Sequence, residues 1–394
     1  MPLDVLIAGG GIGGITAALC LAEEGHSVEL FEQANSFSEA GAGIQLSPNC
    51  TRVLHHLGLE SALRENAFLP EGTQIRDWKS GRLISESALG DAAVRQFGFP
   101  YYHIHRGDLL ALLVNAASTH TNIRVHTGAR IEILLEKENA VELSINGETS
   151  KGDLLIGADG IHSTIRASLW GEEKPAFTGN IAWRALVPSA KLPEGLIHPM
   201  STVWWGPGKH FVHYFVRRGE MVNCVCVVEK TGWEVESWTA RGDYEELKSD
   251  FRDWHPDIQT LIDSADRESL YKWALYDRPP MKAWSRGRVT LLGDACHPTL
   301  PFMAQGAAMA IEDGAVLAGC LRQDADVPAA LQQYEDLRRE RTARIQKGSR
   351  RNATIFHMSG IKAWARNLAA RKAAGSAMNS LYGYNALEAT SFLE

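Results

Sequence analysis

The chain has 394 residues, 45% of them hydrophobic and 22% charged, with a formal net charge of -7. That length suits two subdomains around a shared core or one large α/β unit. The negative balance, with no basic block, argues against nucleic acid as the main partner, and no apolar run approaches the roughly 20 residues that span a bilayer.

Met1-Pro2-Leu3-Asp4 runs straight into a strand rather than a signal peptide, so a cytoplasmic protein is expected. Leu3 to Ala8 reads as a buried parallel strand. Ile12 to Glu24 follows as a helix that Gly25 stops, and Ser27 to Phe31 completes a βαβ unit. Ser47, as N-cap, and Pro48 open a helix to about Leu59. Tyr101 to His105 reads as a strand, Asp108 to Ala117 as a helix, and Arg130 to Ile145 as a hairpin around Lys137-Glu138-Asn139. Leu154 to Ile156 is a third buried strand, ending at Gly157-Ala158-Asp159-Gly160. From about Phe177 the pattern turns β-rich and aromatic: Ile181 to Val187, Thr202 to Trp205, Phe211 to Val216 and Val222 to Val228 predict one antiparallel sheet. Tyr244 to Leu261 predicts a helix, Arg288 to Gly293 a buried strand and Gln305 to Leu321 a helix. Ala329 to Ser349 predicts a long charged helix with Arg338, Arg341 and Arg344 on an exposed side. The six cysteines are scattered (Cys20, Cys50, Cys224, Cys226, Cys296, Cys320) and read as reduced buried thiols, with no metal site.

Two distant segments carry the chemistry. Gly9, Gly11 and Gly14 satisfy G-x-G-x-x-G, with Gly13 in the same loop, between a strand and a helix. The helix N-terminus offers free N–H groups and partial positive charge to a pyrophosphate. Glu32, with Gln33 beside it, is placed to accept from adenosine-ribose hydroxyls. Far downstream, a buried strand delivers Gly293-Asp294 to its C-terminal edge, where open α/β sheets place ligands. Asp294 can accept from ribityl hydroxyls, and the helix opening at Gly306-Ala307 presents its N-terminus to a flavin ring. Together the two segments point to FAD. A nicotinamide dehydrogenase accounts for the first motif and leaves the second without a task.

At these residues the chain resembles the class A FAD-dependent aromatic hydroxylases, of the 3-hydroxybenzoate 6-hydroxylase, salicylate hydroxylase and 6-hydroxynicotinate 3-monooxygenase type. The carriers are the Gly9–Gly14 loop with Glu32, Gly41-Ala42-Gly43-Ile44, His105-Arg106-Gly107-Asp108, Gly157-Ala158-Asp159-Gly160 with Arg166, Gly293-Asp294-Ala295 through Gly306, and Tyr382-Gly383-Tyr384. The resemblance implies an α/β fold: a Rossmann-like, GR2-type FAD-binding domain with an inserted antiparallel-sheet substrate domain and C-terminal helices. The divisions expected are 1-175 and 276-325 for FAD, 176-275 for substrate, and 326-394 for the helical segment. It further implies that Arg106, Ile44, Asp159, Gly306 and Ala307 contact FAD, with NADH or NADPH as electron donor. Where the family often has Asn two residues after the glycine matching Gly306, Ala308 stands here.

Along Lys209 to Phe215, His210, Val212 and Tyr214 form one face and Phe211, His213 and Phe215 the other. The resemblance implies that His210 and Tyr214 face the substrate as catalytic residues; His213 reads as structural. A histidine there can take a phenolic proton, since its reference pKa lies near neutrality. Gln45, Trp204, Pro301 and Phe302 are expected around the substrate. In the resembling enzymes Gln stands at the position of Pro301 and His at those of Phe302 and Gln45. The pocket is therefore expected to be more apolar on the Phe302 side, which weakens the hydroxynicotinate reading. Trp183, Trp204 and Trp205 fit either stacking on a ring or core packing. Arg184 fits either a substrate carboxylate or an ion pair. His297 is expected near the flavin edge without a catalytic part. The reading is a cytoplasmic FAD monooxygenase that hydroxylates a small phenolic aromatic of hydroxybenzoate type with O2, without membrane or nucleic-acid partners and as a homodimer. Salicylate, with or without decarboxylation, a hydroxypyridine carboxylate, and a non-hydroxylating flavoprotein stay open as alternatives.

Overall fold

The computed structural model describes residues 1–37, 42–233, 240–372 and 376–391, so Gly41 lies outside the described residues. Its first sheet has six strands in the order Ser285–Arg286, Val289–Leu291, Leu154–Gly157, Asp4–Ala8, Ser27–Glu32 and Ile123–Thr127. All neighbours run parallel except the first pair. Val5, Leu6 and Ile7 are buried on both faces of this sheet, which explains their unbroken apolar run. The helix Ile12–Glu23 follows the first strand, and Gly306–Gln323 packs across it. The two cross so closely that a Cβ on Gly314 would lie 3.0 Å from the backbone nitrogen of Ala17. Small residues thus bring segments three hundred positions apart into backbone contact.

The second sheet has seven strands: Tyr271–Asp277, Ala176–Pro188, Met221–Glu229, Lys209–Val216, Met200–Gly206, Gly72–Asp77 and Leu83–Ala88, in that order. It is antiparallel except where Met200–Gly206 runs parallel to Gly72–Asp77. Trp183, Trp204, Phe211, Phe251 and Trp254 form a separate core on one face. The opposite face turns toward the first sheet.

Three expectations need correction. The single helix over Tyr244 to Leu261 is two, Tyr244–Asp250 and Pro256–Asp263. Pro256 lacks an N–H and keeps His255 out of the helical region, so His255 caps the second helix by accepting from the Asp257 N–H at 3.3 Å. The hairpin Ile131–Glu136 and Val141–Ile145 gains a third strand, Glu148–Gly152. The long helix spans Val327–Phe356, but only Arg344 of its three named arginines is exposed. Arg338 and Arg341 are buried because Glu312 and Asp313, both fully buried on the neighbouring helix, require cations.

Candidate active site

The glycine loop does what its spacing asks. Gly9 has φ +105°, a turn that side chains resist. A Cβ on Gly14 would lie 2.0 Å from the Gly9 carbonyl oxygen, while one on Gly11 would meet nothing within 4 Å. The helix it opens has no side-chain cap, so its first N–H groups face open space. Glu32 holds the loop from the next strand, accepting from Gly10 N–H and Ala34 N–H, both at 2.8 Å. Each carboxylate oxygen keeps a further lone pair for a hydroxyl. Gln33 is exposed.

The downstream segment meets this loop. After Val289–Leu291 the chain makes a 3-10 turn, Gly293–Ala295, that leaves the Asp294 carboxylate open to the cleft. The turn is pinned by Asp313, whose carboxylate accepts from Gly293 N–H at 3.1 Å, His297 Nε2 at 2.6 Å and Arg338 Nε at 2.7 Å. Burial opposes charge on His297, but Asp313 outweighs it and holds the imidazole well above its ordinary pKa. Burial likewise opposes ionisation of Asp313, yet His297 and Arg338 bring its pKa down to about 2. His297 is therefore a buried partner of Asp313 and lines no part of the cavity. Arg166 ties the Gly157–Gly160 turn to this segment by donating to the Ala295 carbonyl at 3.1 Å.

A cavity of about 340 Å³ runs between the two sheets. Gly11, Gly13, Ile44, Arg106, Asp294, Gly306 and Ala307 line one side. His210, Val212, Tyr214, Gln45 and Pro301 line the other. The helix Gly306–Gln323 also starts without a side-chain cap, because Gln305 uses its amide on Ser47 Oγ and Asn49. Ser47 in turn donates to Asn49 Oδ1 rather than capping its own helix, Pro48–His56. Two helix N-termini with free N–H groups, a carboxylate and Arg106 around one elongated cleft fit the donor set that FAD requires.

The substrate side follows from sheet register. Val212 pairs with Val225 and Val225 with Arg184, so these three share a face. Arg184 lies 3.9 Å over the ring of Trp273, and both line the cavity. Burial pushes the Tyr214 hydroxyl up, with Gln45 beside it. Gln45 accepts from Tyr101 Oη at 2.6 Å and donates to Ser201 Oγ at 3.2 Å. Burial, and then His357, hold the His210 pKa well below its usual value, so a neutral imidazole faces the cavity.

Several expected positions fall elsewhere. Trp204 pairs across the sheet with Phe211 and enters the second core, where its Nε1 donates to His213 Nε2 at 3.0 Å. His213 thus packs with Trp204 on the second core's side, and neither lines this cavity. Trp183 is core as well, and Trp205 packs on Phe356. Phe302 sits behind His210, ring centroids 5.2 Å apart, because neighbours in the 3-10 turn Pro301–Met303 point apart. Asp159 turns away from the cleft, accepting from Thr164 N–H at 2.7 Å and Ile165 N–H at 3.2 Å, although Ala158 and Gly160 line it. Gly9, Gly14 and Glu32 support the cradle from behind rather than lining the cavity. Trp273 went unnoticed in the sequence because no strand was expected over Tyr271–Asp277.

The FAD binding domain family matches residues 2–349. The chain is 38% identical to 6-hydroxynicotinate 3-monooxygenase of Pseudomonas fluorescens over 358 residues, 89% of this chain and 91% of the relative. It is 39% identical to 3-hydroxybenzoate 6-hydroxylase of Polaromonas naphthalenivorans over 368 residues, 93% of this chain and 91% of the relative. Among solved structures, Klebsiella pneumoniae HpxO complexed with FAD and uric acid superposes with a TM-score of 0.86 at 27% identity, covering 98% of this chain and 97% of that one.

Proposed function

Because the chain belongs to the FAD binding domain family and is an FAD-dependent aromatic monooxygenase, we propose that it hydroxylates a small phenolic acid of hydroxybenzoate type, with NADH or NADPH as electron donor and O2 as co-substrate. The observation that carries this reading is the pairing of a neutral His210 with the Arg184–Trp273 stack in one cavity. The Gly9–Gly14 loop, Arg106, Asp294, Gly306 and Ala307 would hold FAD, which when bound supplies the electrons and the activated oxygen. His210 takes the phenolic proton, which raises electron density on the ring carbons ortho and para to oxygen. The Tyr214 hydroxyl and Gln45 orient the ring substituent, and Arg184 offers a bidentate partner for a carboxylate. Val212, Val225, Leu300 and Pro301 keep water from the reacting carbon. The proposal includes a homodimer in the cytoplasm. No helix among the described residues is long and apolar enough to cross a membrane.

The test is a panel of 3-hydroxybenzoate, salicylate and 6-hydroxynicotinate, with NAD(P)H oxidation, O2 uptake and product mass measured together. A phenolic acid should give a product heavier by one oxygen in proportion to NAD(P)H used. Peroxide as the sole product with every compound would overturn the hydroxylase reading of this cavity. Loss of CO2 from salicylate would shift the assignment to the decarboxylating branch.

A further inference from the structure

We propose that His357 and Glu229 continue the path that His210 begins, forming a relay that carries the substrate's phenolic proton from the cavity to solvent. The inference rests on the phenolic reading above. His210 Nδ1 lies 2.8 Å from His357 Nε2, and His357 Nδ1 lies 2.8 Å from Glu229 Oε1. The three residues come from the strands Lys209–Val216 and Met221–Glu229 and from just past the helix Val327–Phe356. His210 is 2% exposed and the His357 side chain 2%, whereas the Glu229 side chain is 55% exposed. Glu229 and His357 line an open groove of about 900 Å³, and Leu300 lines both that groove and the cavity. The wall between them is one layer of side chains. Phe302 and Phe356 pack against the His210 ring, each with centroids 5.2 Å away, so apolar rings surround the polar path.

The direction of the path follows from its last member. A carboxylate can only accept, so Glu229 requires a proton on His357 Nδ1. His357 Nε2 then accepts, which requires a proton on His210 Nδ1. His210 Nε2 is left with its lone pair toward the cavity, in the tautomer a base needs. The exposed carboxylate thereby fixes the protonation of a ring two residues inside.

One proton moves at each link. The phenolic O–H bond breaks as His210 Nε2–H forms, and the Nδ1 proton of His210 passes to His357 Nε2. The Nδ1 proton of His357 passes to Glu229 Oε1, which releases it to water in the groove. A phenolate remains, both imidazoles stay neutral with their tautomers exchanged, and the reverse sequence resets them when product is reprotonated. No buried imidazolium forms. That agrees with burial, which holds both histidines below their ordinary pKa; at His357 Glu229 opposes this and Arg366 adds to it. Besides these, Lys230, Asp277, Arg350 and Lys362 line the groove and set the field at its mouth.

His357 and Glu229 are positioning residues that act through His210, so the test reads proton movement rather than turnover alone. Oxidised, FAD-loaded enzyme is mixed in a stopped-flow instrument with the phenolic acid and a pH indicator in weak buffer. Wild-type enzyme should release one proton per phenolic acid bound. His357→Ala should slow that release by on the order of 10-fold or more, within the range for positioned acid–base groups, and millimolar imidazole should restore phenolate formation. That rescue is read in a parallel run from the absorbance of the phenolate, because imidazole buffers the indicator. Glu229→Gln, at an exposed position and nearly isosteric, keeps the test open if His357→Ala does not fold; it should slow release and alter its pH profile. Release at the wild-type rate in both variants, or slowing that imidazole does not relieve, overturns the relay. Wild-type enzyme that hydroxylates the phenolic acid without releasing a proton overturns the relay and leaves the function standing. Wild-type enzyme that binds no phenolic acid removes both.

Discussion

Gly14 shows how little freedom the cradle has. A methyl group there would sit 2.0 Å from the Gly9 oxygen, a backbone atom that cannot swing aside. Overpacking of this kind costs about 1–3 kcal/mol, so Gly14→Ala should retain FAD on the order of 10-fold or more weakly, read from flavin absorbance of the purified protein. His210 makes the opposite case, a side chain whose removal leaves the cradle intact. His210→Ala should lower hydroxylation about 100-fold while flavin stays bound. Since burial holds the His210 pKa well below its ordinary value, the basic form persists on the acid side of neutrality. The wild-type rate should therefore show no loss near pH 6.5 attributable to this ring. A rate in the alanine variant equal to wild type at every pH would take the base role from His210. Strand alternation put His210 and Tyr214 on one face, and the family resemblance chose that face for the substrate. Alternation says which residues share a face but not which face meets the ligand; that is why Trp204 was expected in the pocket, whereas Trp273 was missed because its strand was not expected. The partnership with His357, 147 residues away, leaves no local signal.

At the scale of elements, periodicity disclosed the helix Val327–Phe356 but not its buried side. Charged residues read as solvent-facing unless an opposite buried charge is known, and Glu312 and Asp313 lie on another helix. Asp313 joins three parts of the site: the turn bearing Asp294, His297, and the long helix through Arg338. Asp313→Asn leaves two buried cations with one partner fewer, and breaking such a set costs about 3–5 kcal/mol. The variant should unfold at lower urea and bind FAD less tightly, because the Asp294 turn is no longer pinned. The pH dependence carries a sign. The Asp313 pKa is depressed to about 2, so its contribution is present above the unfolded value of about 3.9 and fades as pH falls through 2. The His297 pKa is raised, so its contribution is full below about 6.5 and is lost as pH rises through the folded value. The stability gap between wild type and Asp313→Asn should thus be widest between about pH 4 and 6.5. A gap that does not change with pH would mean that the cluster acts by packing alone.

For the whole molecule, the βαβ opening and the downstream Gly293-Asp294 turn were readable because each is a local pattern. The pairing of Gly72–Asp77 with Met200–Gly206 was not, since a strand recruits such a neighbour across more than a hundred residues without local trace. The cavity is lined from Gly11 to Ala310, by turns at the C-terminal edge of the first sheet and by strands of the second, so a ligand that fills it joins the two parts of the fold. Occupancy must then appear as stability: a ligand at 100 times its Kd adds about 2.7 kcal/mol. Flavin-stripped protein should melt below the loaded form and recover in step with added FAD. The two ends of the cleft make a sharper distinction. FMN carries the ring and ribityl chain that Asp294 and Gly306 would meet, but not the adenosine half that the Gly9–Gly14 loop and Glu32 would hold. At equal concentration FMN should therefore restore much less of the melting temperature than FAD, whereas equal recovery would mean that the glycine loop contributes no binding.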